Sequence, residues 1–245
     1  MAGRIHRYFA SVCFFLLLVI PVSVSALPVT FVGDSANSTE KLGQFTATLE
    51  YIVVDKGVAQ LWVTLANTSP DANGGWITGF AFNNPNNFIK EANLSFNPRP
   101  GEYLLMGGPG FTDTVSASPF ADFDMGAALG GSFEGGGSAT AGIFVGTAEK
   151  FRFTLKGANV ETLTERSFID EVNADGEFFV VRFRGFENGG SDKVPGDPGE
   201  GVPVPRPRKP MAAERPSSRR SSSFTRERFT RIFERGSFNP PTRRT

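Results

Sequence analysis

The chain has 245 residues, its 25 Lys and Arg balance 25 Asp and Glu, and its only histidine and only cysteine, His6 and Cys13, stand among the first 26 positions. If those positions are an export signal removed from the working protein, then Ser–His and Cys–His catalysis, zinc sites built on His or Cys, and disulfides are excluded. The even charge total hides an asymmetry: residues 27–195 carry 11 basic and 20 acidic side chains, whereas 196–245 carry 12 and 5, so an acidic domain precedes a basic tail.

Residues 1–26 have the three parts of a signal peptide. Arg4 and Arg7 make a positive start, an apolar run extends from Tyr8 to Ile20, and Pro21 precedes the small residues Val24-Ser25-Ala26. The run is shorter than the roughly 20 apolar residues of a membrane span. Cleavage after Ala26 predicts a mature chain beginning at Leu27, without a transmembrane segment. It is expected to be secreted, extracellular or at the cell surface, with the periplasm as the alternative.

Residues 27–195 read as one β-rich domain. Gln44 to Val54 places Phe45, Ala47, Leu49 and Tyr51 on one face, and Asp55-Lys56-Gly57 turns the chain into a second strand, Val58 to Ala66. There Leu61, Val63 and Leu65 oppose Trp62 and Thr64. Trp76 to Phe82 is a third strand after the turn Asn73-Gly74-Gly75, and Glu91 to Asn97 a fourth. Glycines crowd 107–146, which predicts long loops with one short helix near Ala121 to Leu129. Glu149 to Lys156 alternates again, with Phe151, Phe153 and Leu155 opposite Arg152, Thr154 and Lys156. Thr164 and Glu165 can start a short helix with Phe168, Ile169 and Val172 on one face. Glu177 to Phe186 is the last strong strand. The class is mainly β, an antiparallel β-sandwich with one or two short helices, and a jelly-roll-like strand order is the preferred topology. Residues 196–245 are rich in Pro, Arg and Ser and are expected to be disordered. Within them Ser223 to Gly236, with Phe224, Phe229, Ile232 and Phe233 among arginines, can form an amphipathic helix on an anionic surface.

Few residues announce chemistry. Gly107-Gly108-Pro109-Gly110 does not match a phosphate-binding loop. Asp122, Asp124 and Glu134 are the carboxylates that a glycosidase of this chain would draw on, since that reaction needs two carboxyl groups and no histidine. Calcium, which takes oxygen ligands, is the expected ion if the domain holds one, and Asp122 and Asp124 are its candidate ligands. The stretch Glu171 to Gly176 imitates half of a calcium loop, but its twelfth position is Arg182, so a turn is the better reading. Trp62 and Trp76, with the amides of Asn84 and Asn87 on a loop rim, form the candidate set for a hydroxyl-rich ligand. The competing expectation for both tryptophans is packing in the core or between sheets. Nucleic acid is not an expected partner, because the basic tail follows an acidic domain.

Four phrases carry a resemblance: Phe45-Thr-Ala-Thr-Leu-Glu-Tyr51, the run from Ala59 to Pro70, Gly79-Phe-Ala-Phe82, and the run from Phe179 to Pro195. Together they resemble exported bacterial proteins of the PEP-CTERM group, which are sorted by an exosortase-type system. The resemblance implies a surface- or matrix-associated β-sandwich and no established reaction. Members of that group end in Val-Pro-Glu-Pro, an apolar helix and a basic cluster. Here Gly201-Val-Pro-Val-Pro205 is followed by Arg206-Pro207-Arg208, and the sorting helix is missing from this tail. The expected role is non-catalytic interaction with a surface, an extracellular matrix or a polysaccharide, and the alternative is a carboxylate-based glycan-active hydrolase.

Overall fold

The computed structural model describes residues 27–99 and 101–198. The signal-peptide reading of 1–26, and nearly all of the tail from 196, lie outside the described residues. In chain order the strands are β1 (Val29–Gly33), β2 (Phe45–Asp55), β3 (Val58–Asn67), β4 (Gly74–Phe82), β5 (Glu91–Phe96), β6 (Tyr103–Met106), β7 (Val115–Ser116), β8 (Asp122–Phe123), β9 (Met125–Leu129), β10 (Ile143–Phe144), β11 (Ala148–Lys156), β12 (Phe179–Phe186) and β13 (Ser191–Pro195). One α-helix, α1 (Glu165–Asp170), lies between β11 and β12.

All pairings are antiparallel. One sheet has the order β1-β2-β3-β11-β5, and the other β13-β12-β4-β9-β6 with β10 beside β4. After β3 the chain repeatedly crosses between sheets, whereas β1, β2 and β3 form a meander within one.

Rings fill the space between the two sheets. Phe80 of β4 meets Phe151 and Phe153 of β11 edge-on, with centroids 5.0 and 6.0 Å apart. Phe82 meets Phe153 at 5.3 Å, and Tyr103 meets Phe151 at 5.0 Å. Strict alternation supplies these residues from β2, β3 and β11, as period-two patterning requires. In β4 a bulge is needed. Its register against β12 passes from Gly79 opposite Arg182 to Ile77 opposite Phe183, so Ile77 and Phe80 both reach the core.

The helix expected near Ala121 to Leu129 is instead strand. Met125-Gly-Ala-Ala-Leu129 suits a helix by local propensity, but all five residues are buried between neighbouring strands. Gly126 lies against β4 so closely that a Cβ would stand 2.1 Å from the Phe80 carbonyl oxygen. The small residues therefore serve close strand approach.

Helix α1 closes one end of the sandwich. Phe168 and Ile169 are buried, the Glu165 carboxylate accepts the Tyr51 N–H at 2.7 Å, and the Tyr51 hydroxyl donates to the Val160 carbonyl at 2.7 Å. Near the other end Asp192 of β13, 1 % exposed, ties down the segment before β2. Its carboxylate accepts from the hydroxyls of Ser38 and Thr39 and from the N–H groups of Glu40, Leu42 and Gly43, all at 2.8–2.9 Å. Packing continues past Pro195: Gly196 N–H donates to Phe179, and Asp197 and Val32 exchange backbone hydrogen bonds. No helix among the described residues is long and apolar enough to cross a membrane.

Candidate functional site: the open outer sheet face

The alternation that sends Leu61, Val63, Phe151 and Phe153 inward sends Trp62, Lys150, Arg152 and Thr154 outward. Strand registry then sets them in rows. Glu50 lies opposite Trp62, Trp62 opposite Arg152, and Arg152 opposite Phe96, so one row crosses β2, β3, β11 and β5. At about 4.8 Å between strands, this row spans roughly 14 Å. A bulge in β5 brings Ser95 to the same face as Phe96.

Ser95 organises the row. Its hydroxyl accepts from Arg152 Nε and from the Thr154 hydroxyl, both at 2.9 Å, and donates to the Arg152 carbonyl at 3.2 Å. Arg152 Nη2 reaches the Ser95 carbonyl at 3.5 Å. The guanidinium carbon then lies 5.1 Å from the Trp62 ring centroid, and Lys150 Nζ lies 4.4 Å from it. Phe96, 48 % exposed, packs beside Trp62 at 6.1 Å. Lys150 pairs with Glu50 at 3.3 Å and Lys156 with Glu91 at 3.5 Å. Arg152 has no carboxylate partner among the described residues. Next to the row lies a depression of about 300 Å³ lined by Glu91, Asn93, Thr154 and Lys156.

Trp76 is not part of this face. It projects from the outer side of the other sheet, above Gly185, with Phe144 at 5.4 Å. Both tryptophans point away from the core, so the packing expectation is corrected. They also stand on opposite faces of the sandwich, so no single groove contains both.

Of the two asparagines, Asn84 departs from the loop-rim expectation. Asn84 is buried, 1 % exposed, and holds its own loop. Its amide donates to the carbonyls of Ile89 and Phe111 at 2.9 and 3.1 Å and accepts the Ile89 N–H at 2.9 Å. Asn87 is exposed and lines a cavity of about 160 Å³ with Thr112, Asp113, Asp124 and Glu171, and neither tryptophan is among its lining residues.

The three candidate carboxylates lie in different surroundings. Asp122 is exposed in the short β7–β8 pair. Asp124 is buried and accepts the N–H groups of Asn84 at 2.7 Å and Asp113 at 2.6 Å. Burial pushes its carboxyl up in pKa, against the lowering effect of those two N–H groups. Among the described residues no three His, Cys, Asp or Glu side chains are placed to hold a metal ion. Glu134 is clamped by Lys193 and Arg182. Burial alone raises its pKa, but the hydrogen bonds and charges of those two cations outweigh it and hold the carboxyl below its ordinary range. A proton-donating acid needs the opposite shift.

The residues that sequence reasoning missed are Lys150, Arg152, Ser95 and Phe96. The alternation of 149–156 put Arg152 on a polar face with Thr154 and Lys156; the pairing that sets Arg152 and Lys150 beside Trp62 could not be read from it. Comparison of the chain with protein-family models, with curated proteins and with solved structures gives no match.

Proposed function

We propose that this chain is an exported, non-catalytic binding protein that holds a polysaccharide of the cell surface or extracellular matrix on the outer face of β2, β3, β11 and β5. The observation that carries the reading is the uncovered row Trp62–Arg152–Phe96. Aromatic rings and fixed hydrogen-bond donors on a flat β surface suit a chain of hydroxyl-bearing rings. Gln60, Thr64, Thr154 and Asn93 surround the row and supply further hydrogen-bonding groups. The resemblance to surface- and matrix-associated proteins agrees with it. The hydrolase reading has less support, because Asp122, Asp124 and Glu134 face different surroundings and Glu134 is neutralised by two cations.

The test is retention of the full chain on a panel of immobilised polysaccharides, with reducing-sugar release measured in parallel. Retention that Phe96→Ala and Trp62→Ala weaken, without release of sugar, is the expected result. Absence of retention on every polymer overturns the reading. Sugar release that Asp124→Asn or Glu134→Gln abolishes replaces it with the hydrolase.

A further inference from the structure

We infer that the polymer held on this face is acidic, and that a carboxylate or sulfate group of it docks end-on against Arg152. The inference rests on the binding reading above and adds the ligand's charge. Three observations carry it. First, the Trp62 ring is already engaged by a cation, with Lys150 Nζ 4.4 Å from its centroid. A neutral sugar would have to displace that ammonium to stack there, whereas an anion docking on Arg152 need not. Second, Arg152 is oriented but not neutralised. Ser95 takes Nε and one side of Nη2, which leaves Nη1 and the adjoining N–H of Nη2 without a partner among the described residues. That pair of parallel N–H groups matches the two oxygens of a carboxylate. Third, the neighbouring cations are paired and Arg152 is not: Lys150 has Glu50 and Lys156 has Glu91.

The same charges favour an acidic polysaccharide over nucleic acid. A duplex presents one phosphate charge per roughly 1.7 Å, which would lie against Glu50 and Glu91 as well as Arg152. Residues 27–195 carry nine more acidic than basic side chains, a field that opposes a dense polyanion. A polymer with one anionic group per sugar or per pair of sugars meets one unpaired guanidinium among hydroxyl and amide groups, with Phe96 left to contact ring faces.

The experiment measures affinity of the full chain for polygalacturonate, alginate, a sulfated polysaccharide, dextran, cellulose oligosaccharides and a DNA duplex, at 50 and 500 mM NaCl. Acidic polymers should bind, weaken as salt rises, and lose about tenfold or more on Arg152→Gln, as for a lost charge-assisted hydrogen bond. Arg152→Lys, which keeps the charge without the fork, should fall between the two. Phe144→Ala, on the opposite face, should bind as the parent does, and melting curves of each variant confirm that it folds. Selective binding of neutral glycans, independent of salt and of Arg152 but sensitive to Phe96→Ala, overturns this inference and leaves the binding reading standing. DNA bound as tightly as polygalacturonate also overturns it. No binding to any polymer removes both.

Discussion

The two outer faces of the sandwich start from similar strands and end differently. On the sheet containing β12 and β4, outward residues Ala81, Ala128 and Val180 are apolar, and the glycine-rich connections fold back over them with Val115, Ala117, Phe123 and Phe133 to make a second small core. Glu134, on those connections, is strapped to Arg182 and Lys193, and Arg184 Nη1 donates to the Gly136 carbonyl at 3.0 Å. On the other sheet the outward residues of β3 and β11 are mostly Thr, Gln, Lys and Arg around Trp62, with Glu50, Ser95 and the half-exposed Phe96 beside them, and among the described residues no connection crosses them. Composition explains the difference. Apolar outward positions must be covered to leave water, whereas Thr64, Gln60 and Lys150 stay hydrated without cost. The covered face therefore serves stability, and the open face is left to solvent.

Emptying the covered face should have the largest effect. Phe123 is fully buried there, so Phe123→Ala should cost about 3–5 kcal/mol and lower the melting temperature by about 10 °C. Trp62→Ala, on the open face, should cost within about 1 kcal/mol, the scale of an exposed cation–π contact. Thermal unfolding of the two variants side by side checks the comparison, and equal losses would break it. Asp192→Ala comes next. Six donors, the Lys193 N–H among them, lose their acceptor, and a loss of about 2–4 kcal/mol is expected at pH 7. Burial raises this carboxyl's pKa, but the N–H groups of Gly43, Leu42 and Glu40 and the Thr39 hydroxyl outweigh it and depress it. Its contribution is thus present above the ordinary carboxylate range and lost as pH falls below about 3.9. The gap between parent and variant melting temperatures should narrow in acid, and a gap constant with pH would deny the carboxylate its part.

The open face was half legible in the sequence. Alternation in 44–66 and 149–156 gave strands, inward residues and outward residues correctly, because a period of two survives without knowledge of partners. What it could not give was adjacency. Trp62 and Arg152 are 90 positions apart, and only the β3–β11 register brings them together. The covered face was less legible for a different reason. Gly126, Ala127 and Ala128 are small because strands press on them, and out of context small residues read as loop or helix. Asn84 and Asp124 misled similarly: buried amides and carboxylates that satisfy backbone groups have the same composition as a ligand rim.

The smallest effect concerns Glu177, in the turn fastened beneath the covering connections by the Asn173 amide, which donates to the Phe120 carbonyl at 2.8 Å. Burial, then the charges of Asp175 and Asp197, push its carboxyl up to about 7. An unfolded glutamate titrates near 4.3, so the folded chain holds the proton more tightly across the interval between. Stability from this group is complete below the unfolded value and declines as pH rises through about 7. Glu177→Gln keeps the shape and removes the charge. It should leave the melting temperature at pH 4 nearly unchanged and raise it at pH 8. A variant that melts earlier than the parent at pH 8 would mean that the ionised carboxylate is held by favourable contacts, and that this edge of the covered face is fastened by charge and not merely by the Asn173 bond.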